Sequence, residues 1–239
     1  MLDRTKKGAL VLRARLRKTA WALRDPSDLL RRARYFTLKQ WLATGLSVLS
    51  LILVVGSGWL AGYPFYTDWR AARQQRALAD AFRAPELKNA FDNGGVGIGS
   101  PLTRLMIPKL GVDIVVVEGT SPRALAAGAG HYQSTPLPGE LGNMAIAGHR
   151  NINGKPFGKI DQLEPGDKII LVTPSSRFTY VVSEPQGRSR NPWVTKANDW
   201  SVIAPTETAS LTLTTCHPYG SNKQRLVVRA VLEAGEVQA

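Results

Sequence analysis

Both the fold and the chemistry of this chain are indicated by one stretch, Leu211-Thr212-Leu213-Thr214-Thr215-Cys216-His217-Pro218, together with the later run Arg225-Leu226-Val227-Val228. The β-branched and apolar residues before Cys216 favour a half-buried strand, and the proline that follows ends regular pairing. We therefore expect Cys216 at the end of one strand and Arg225 at the start of the next.

Cys216 is the only cysteine among the 239 residues. A lone cysteine cannot form an internal disulfide, so it is either an inert buried side chain or a thiol with chemistry to perform. Inert buried cysteines are the commoner class, but a strand end with histidines and an arginine available favours a nucleophile. Such a nucleophile needs a partner that transfers protons and a donor that stabilises the oxyanion.

The chain has three histidines that could transfer protons: His131, His149 and His217. His149 follows the small apolar segment 143–147 after one glycine, which predicts a position at a strand end like that of Cys216. His217 is next to Cys216 and, on an extended chain, points to the opposite face. His131 is expected in a loop, because small residues and glycines precede it.

Two arginines, Arg225 and Arg229, are candidates for the oxyanion donor, since a guanidinium keeps its charge at any relevant pH. On an extended strand they share a face but lie about 13 Å apart, so only one can serve the site. Arg225 is nearer to the loop that begins at Cys216 and is therefore the predicted donor.

Charge is unevenly distributed along the chain, whose formal net charge is +13. Residues 1–39 carry twelve Lys or Arg against three acidic residues, so this tail holds +9 of the total. The remaining 200 residues carry only +4, which is close to an ordinary mixed surface. Because a membrane is predicted between this tail and the folded domain, we expect no nucleic acid as a partner.

The basic tail is followed by the uncharged stretch 40–67, whose centre is strongly apolar. About 20 such residues cross a bilayer as a helix, and the aromatic residues near both ends suit the headgroup zone. A cleaved signal peptide is the alternative, but its basic start and apolar core would be shorter. We therefore expect a retained signal-anchor that crosses the lipid bilayer of the cell membrane once.

The orientation follows from the lysines and arginines, which resist translocation. Residues 1–39 are predicted to form a cytoplasmic tail, and everything after about residue 67 is predicted to be extracellular. Residues 68–101 are expected to be a helical spacer and a glycine-rich linker, because helix formers are succeeded by Gly, Pro and Asn.

Residues 102–239 show short apolar runs that are separated by Gly, Pro and Asp, which is typical of strands. Helix is expected only at 121–127 and around 193–200. The predicted strands are 102–107, 112–118, 143–147, 168–172, 177–183, 211–215 and 225–232. Many short strands with little helix predict an all-β domain, either a closed barrel or a sandwich.

The segment Leu213-Thr214-Thr215-Cys216, the arginine nine residues later and the upstream pair Gly148-His149 resemble the sortase family of Gram-positive transpeptidases. The resemblance covers the anchor and nearly all of residues 100–235. It implies an all-β domain with minor helix, a closed eight-stranded barrel, behind a single N-terminal transmembrane helix. It also implies that Cys216, His149 and Arg225 are catalytic.

In the mechanism that this resemblance implies, the Cys216 thiolate attacks the Thr–Gly carbonyl in the C-terminal sorting signal of a secreted protein. Protonated His149 donates to the departing glycine amine, and Arg225 stabilises the oxyanion or holds the substrate backbone. The amine of a cell-wall peptidoglycan precursor then resolves the thioacyl enzyme. No cofactor and no metal are implied.

Three short segments are most similar to actinobacterial class E sortases: Gly130-His131-Tyr132, Ala147-Gly148-His149-Arg150 and Thr215-Cys216-His217-Pro218. This similarity implies a signal of the type Leu-Ala-x-Thr-Gly rather than Leu-Pro-x-Thr-Gly, with Tyr132 contributing to the choice. His131, Thr215 and His217 are further predicted substrate contacts, although local packing is an equal alternative for His131 and Tyr132.

Two other functions remain open at this level. A zinc-binding domain could use Cys216, His149 and either His131 or His217, although their spacing matches no recognisable zinc motif. A membrane-tethered, non-catalytic β-domain for adhesion or signalling is the other alternative. The metal content would reveal the former, and thiol reactivity toward a sorting peptide would exclude the latter.

Overall fold

A computed structural model describes residues 37–93, 95–184 and 190–237 of the chain, with side chains described as far as residue 233. The predictions for the basic tail concern mainly residues 1–36, which lie outside the described residues. The chain divides into two compact units, Met1–Leu60 and Ala61–Ala239.

The first unit contains the start of helix α1, which covers Leu38–Phe82. This helix is long and apolar enough to cross a membrane, and none of its most apolar 18-residue segment is buried within the structure. Leu46, Ile52 and Val55 each expose more than 60% of their surface. Because so much exposed apolar surface is unfavourable in water, α1 is a candidate membrane span.

Among its described residues, the second unit contains nine strands and little helix. The strands are β1 Pro101–Ile107, β2 Val112–Glu118, β3 Ala129–His131, β4 Asn143–Gly148, β5 Lys168–Val172, β6 Ser176–Val182, β7 Trp193–Lys196, β8 Ser210–His217 and β9 Gln224–Val237. Helix α2, Pro85–Asp92, precedes β1, and helix α3, Pro122–Ala126, precedes β3. Short 3₁₀ turns cover Pro108–Leu110, Ile160–Gln162 and Trp200–Ile203.

Eight of these strands close into a barrel. The order β1-β2-β3-β4-β8-β9-β6-β5 returns to β1, because β5 pairs with β1 and β6 pairs with β9. The pairs β2–β3 and β4–β8 are parallel, and the other neighbours in the ring are antiparallel. The predicted all-β fold with a closed eight-stranded barrel is confirmed, and β7 adds to β9 beside the ring.

The barrel interior determines the side to which each residue of β8 and β9 points. Leu211 and Leu213 of β8 are fully buried in the main core, as are Val228 and Ala230 of β9. Side chains alternate between the two faces of a strand. The residues that point out of the barrel are therefore Thr212, Thr214, Cys216, Arg225, Val227 and Arg229.

The structure corrects the helix that we expected at 193–200. Trp193–Lys196 forms strand β7, and a 3₁₀ turn begins only at Trp200. The aromatic and β-branched residues of β7 pair with the start of β9, and Trp193 packs with Val202 and Val227 in a small cluster outside the barrel. Burial against this neighbouring strand prevails over local helix propensity.

The end of α1 packs against the barrel instead of acting only as a spacer. Ala71 is 2% exposed, and Gln75 forms hydrogen bonds with both backbone groups of Val115 in β2. Asp68 accepts the backbone N–H of Gly154 at 3.0 Å, in the loop after β4. The described part of α1 beyond Leu60 therefore belongs structurally to the barrel unit.

Candidate active site

Cys216 and Arg225 lie side by side on the outer face of the barrel. They are direct partners in the β8–β9 ladder, and Arg225 Nη1 is 3.9 Å from Cys216 Sγ. The same nitrogen donates to the carbonyl oxygens of Asn222 at 3.0 Å and Gln224 at 3.1 Å. These bonds hold the guanidinium beside the half-buried thiol.

His149 reaches the same edge of the barrel from the neighbouring strand. It follows β4 directly, and β4 runs parallel to β8 with Ala147 opposite Thr214. His149 is two residues beyond this last pair, as Cys216 is, so the parallel strands end together at the predicted acid–base residue and the predicted nucleophile. Partial burial lowers the pKa of the His149 imidazole below its ordinary value, because the charged form loses hydration.

Thr215 ties these two strand ends together. Its side chain is 3% exposed, and its hydroxyl donates to the carbonyl oxygen of Gly148 at 2.7 Å. Gly148 itself is packed so closely that a Cβ atom there would come within 2.6 Å of the Phe157 ring. The hydroxyl of Thr215, a predicted substrate contact, is thus buried and bound to the backbone, and its contact with substrate stays a prediction.

A second hydrogen bond between the two strand ends was not predicted from the sequence. Arg150, which follows His149, is only 7% exposed and donates from Nη1 to His217 Nδ1 at 2.8 Å. Its Nη2 pairs with Asp161 at 3.1 Å. His217, a predicted substrate contact, thus points away from the Cys216 face, as alternation along the strand predicts, and is engaged by an arginine.

The local structure at His131 differs from the loop that the sequence predicted. This residue lies in strand β3 instead of a loop and is 1% exposed. Its Nδ1 is 2.9 Å from a Glu118 carboxylate oxygen, and its Nε2 is 2.9 Å from Thr135 Oγ1 and 3.1 Å from the Pro136 carbonyl. Both ring nitrogens therefore have hydrogen-bond partners inside the protein, which favours the packing alternative for His131.

Tyr132, in contrast, lies beside Thr214, two residues before the predicted nucleophile. It follows β3, is half-buried, and its hydroxyl is 3.3 Å from Thr214 Oγ1. Thr214 precedes Cys216 by two residues and shares its outward face. Thr135, which also contacts the buried His131, helps to hold Tyr132 in this position, since Thr135 Oγ1 donates to the Tyr132 carbonyl oxygen at 2.7 Å.

Arg229 is separated from Cys216 by its own contacts. It pairs with Thr212 in the ladder, four residues along β9 from Arg225. Its Nη2 donates to the Val202 carbonyl at 2.9 Å, and its guanidinium lies 6.0 Å from the Trp193 ring centre. Of the two candidate arginines, Arg225 is the one that lies beside the thiol.

The geometry suits covalent chemistry better than metal binding. A thiol, an imidazole and a fixed guanidinium at one barrel edge supply a nucleophile, a proton carrier and an oxyanion donor. Among the described side chains, no three His, Cys, Asp or Glu residues are placed to share a metal ion. The zinc alternative therefore has no support from the arrangement of these side chains.

Comparison with known proteins gives a consistent result. A family model described as a sortase domain matches residues 105–233. The sortase SrtE1 of Streptomyces coelicolor is 33% identical over 196 residues, covering 76% of this chain and 52% of that relative. The chain thus spans about half the length of this curated relative.

Solved structures agree with the barrel described above. Sortase E from Streptomyces avermitilis is 35% identical with a TM-score of 0.53, covering 59% of this chain and 93% of that structure. A sortase D5 transpeptidase from Clostridium perfringens is 31% identical with a TM-score of 0.57, covering 68% of this chain and 98% of that structure. With a family model that matches more than half of its length, the chain belongs to the sortase family, whose members are cysteine transpeptidases.

Proposed function

We propose that this protein is a membrane-anchored transpeptidase that cuts the C-terminal sorting signal of secreted proteins between Thr and Gly. The acyl group would pass through Cys216 to the amine of a cell-wall peptidoglycan precursor. The observation that supports this proposal most directly is the pairing of Cys216 with Arg225. This pair lies at the end of β8, and His149 follows the end of the neighbouring parallel strand β4.

In the first half-reaction, the Cys216 thiolate attacks the carbonyl carbon of the signal's threonine. Arg225 faces the thiol and donates hydrogen bonds to the oxyanion that forms, or to the neighbouring substrate backbone. The C–N bond to glycine then breaks, and the His149 imidazolium donates its proton to the leaving amine. The products are a thioester on Cys216 and a free fragment whose N-terminal residue is the glycine.

In the second half-reaction, the acceptor amine attacks the thioester carbonyl. His149, now neutral, accepts the proton that the amine loses, and the C–S bond breaks to regenerate the thiolate. The imidazole thus begins and ends the cycle protonated. No group outside the chain and its two substrates is required for this balance.

The lowered pKa of His149 has a consequence for the resting enzyme. At neutral pH the imidazole is largely unprotonated, so the reactive pair of thiolate and imidazolium is a minority of the population. Substrate binding that stabilises the negative thiolate or oxyanion would raise this fraction. Arg225 is the residue best placed to do so, because its charge lies beside the sulfur.

The domain organisation belongs to the same proposal. Residues 1–39 would be the cytoplasmic tail, 40–67 the single-pass anchor, 68–101 the spacer and linker, and 102–239 the extracellular catalytic domain. The exposed apolar surface of α1 and the charge of the tail support this arrangement. The substrates would then be secreted proteins and wall precursors on the outer side of the bilayer.

We further propose that Tyr132 favours alanine over proline at the second position of the signal. Its hydroxyl lies 3.3 Å from Thr214 Oγ1, on the face that carries Cys216, so it would contact the residue that binds upstream of the cut. A single contact of this kind is worth about 1–3 kcal/mol, which corresponds to a preference on the order of ten- to a hundredfold.

The test is a competition between Leu-Ala-x-Thr-Gly and Leu-Pro-x-Thr-Gly peptides with an amine acceptor and the detergent-solubilised full chain. The proposal predicts cleavage between Thr and Gly, faster transfer of the alanine peptide, and a smaller difference with Tyr132→Ala. Equal rates with the wild type, or a preference that Tyr132→Ala leaves intact, would remove Tyr132 from the specificity site. Cleavage at another bond would contradict the proposed function itself.

A further inference from the structure

The residues that directly follow Cys216 and His149 bind each other. Arg150 Nη1 donates to His217 Nδ1 at 2.8 Å, and we call this contact the Arg150–His217 bridge. It lies beyond the last ladder pair between β4 and β8, which joins Ala147 to Thr214. The bridge therefore ties together two chain segments that the sheet no longer pairs.

The arginine in this bridge is held firmly. Arg150 is 7% exposed, and its Nη2 pairs with Asp161 in the 3₁₀ turn Ile160–Gln162. A guanidinium that is removed from water in this way keeps a defined position, because losing either partner would leave a buried charge poorly satisfied. Arg150 can therefore serve as a fixed point to which the end of β8 is attached.

Two side-chain bonds enclose the proposed catalytic pair. On one side of Cys216 and His149, Thr215 Oγ1 donates to the Gly148 carbonyl at 2.7 Å. On the other side is the Arg150–His217 bridge. The residues that precede the pair and the residues that follow it are thus joined across the two strands, which fixes the spacing of the strand ends that carry the thiol and the imidazole.

We propose that Arg150 and His217 are positioning residues, whose bridge holds Cys216 and His149 at reacting distance without touching the substrate. This inference rests on the proposed function. Arginine can only donate hydrogen bonds, so His217 must present an unprotonated Nδ1 and carry its proton on Nε2. The bridge therefore depends on His217 as a hydrogen-bond acceptor at Nδ1.

The test compares variants that keep or remove each half of the bridge. His217→Leu and Arg150→Met remove the acceptor and the donors while retaining apolar volume, and His217→Asn retains an acceptor close to the Nδ1 position. We expect His217→Leu and Arg150→Met each to lower kcat by about 10- to 100-fold with KM nearly unchanged, because misplacing reacting groups by about 1 Å has effects of this size. His217→Asn should recover most of the rate, and the double variant should be no worse than either single one.

A second readout does not depend on turnover. Because Cys216 is the only cysteine, the rate of alkylation by iodoacetamide reports on this thiol alone. The bridge predicts a severalfold change in this rate for His217→Leu, restored by His217→Asn. The matched control is Arg104→Met, which breaks the Arg104–Asp113 ion pair between β1 and β2. Strand β1 lies four strands from β8 around the ring, so this variant should leave both readouts unchanged.

The outcomes separate this inference from the proposed function. If folded His217→Leu shows wild-type kcat and wild-type alkylation, the bridge does not position the pair. Rate losses that multiply in the double variant would also overturn it, since they would indicate independent roles. If Arg150→Met fails to fold, the two His217 variants decide the matter. A wild-type chain without transpeptidase activity would contradict the proposed function, while the alkylation rates would still test the bridge.

Discussion

Arg225 and Arg229 show how contacts distinguish two identical side chains on one strand face. Arg225 lies beside the Cys216 sulfur and is held by the carbonyls of Asn222 and Gln224. Arg229 instead stacks on Trp193 and donates to a backbone carbonyl in the small outer cluster. The ladder register alone puts both arginines on the same face, and only their neighbouring residues distinguish the one beside the thiol from the one in the outer cluster.

The first prediction concerns these two arginines. Arg225→Ala should lower kcat/KM by an amount equivalent to about 2–4 kcal/mol, the range for one lost oxyanion donor. Arg225→Lys should recover little, because one ammonium cannot reproduce a planar guanidinium. Steady-state transfer kinetics measure both effects.

Arg229→Ala is the matched control for Arg225. It should lower the free energy of unfolding by about 1–2 kcal/mol through its lost hydrogen bond and ring contact, with near-normal kcat/KM in the folded fraction. An Arg229→Ala chain that is stable but less active than Arg225→Ala would show that the wrong arginine has been assigned to the site.

The second prediction follows from the burial of His149. In the resting enzyme the His149 imidazole is largely neutral, so the acid limb of kcat/KM should arise where a further proton binds this imidazole. Since burial lowers its pKa, this limb should lie below about pH 6.5, the ordinary histidine value. The unfolded chain binds this proton at higher pH than the folded chain does, so stability should also decrease as the pH falls through the same window. A pH profile with its acid limb at or above 6.5 would assign the limb to another group.

At this scale the sequence predicted the placement of Cys216, His149 and Arg225 better than the surroundings of His131. The positions of Cys216, His149 and Arg225 relative to the strands follow from local patterns, because each stands where an apolar run ends or begins. The burial of His131 does not, since its partner Glu118 is brought to it by the pairing of β2 with β3. A polar residue in a short segment gives no local sign of such distant partners.

At the scale of elements, strands with clear alternation were predicted closely and short ones were not. The bounds of β2 and β5 match the predicted runs 112–118 and 168–172. Strand β3 was missed, because three residues that include a glycine carry no periodic signal and depend on pairing with β2 and β4. Strand β9 extends beyond the predicted residue 232, because β6 pairs with it as far as Val237.

The third prediction concerns the attachment of α1 to the barrel. Gln75 donates to the carbonyls of Val115 and Ala127 and accepts the Val115 N–H at 2.8 Å. Gln75→Ala leaves these part-buried backbone groups unsatisfied and should lower the free energy of unfolding by about 2–3 kcal/mol. Denaturant unfolding of the full chain in detergent, followed by tryptophan fluorescence, measures this loss.

The neighbouring exposed residue provides the control for Gln75. Arg76→Ala, one position along the same helix, should change the free energy of unfolding by less than about 0.5 kcal/mol. Similar effects for Gln75→Ala and Arg76→Ala would indicate that the hydrogen bonds between α1 and β2 contribute little in solution. The end of α1 would then be a spacer, as the sequence alone suggested.

At the scale of the whole molecule, charge and hydropathy divide the chain into regions with different surroundings. The first 39 residues carry a net charge of +9, and an apolar helix follows them. The remainder is nearly balanced and carries the barrel, so along the sequence the excess charge and the candidate active site belong to different segments. This arrangement is the basis of the proposed topology.

The fourth prediction tests this topology. Protease added to intact cells, or to protoplasts where the wall blocks access, should digest the region 100–239 and leave residues 1–39 protected. Epitope tags at the two ends allow both regions to be followed, and permeabilised cells serve as the control in which both are cut. Digestion of the tail with protection of the barrel would show that the orientation is reversed.

The central claim is that Cys216 carries the acyl group of a sorting signal, and intact-mass spectrometry of the full chain tests it most directly. Incubation with a Leu-Ala-x-Thr-Gly peptide without an acceptor amine should add the mass of the peptide up to threonine, and fragmentation should locate it on Cys216. Cys216→Ala should show no adduct and less than about a thousandth of wild-type transfer, while melting as the wild type does. Transfer by Cys216→Ala, or turnover without any adduct on Cys216, would contradict the covalent mechanism.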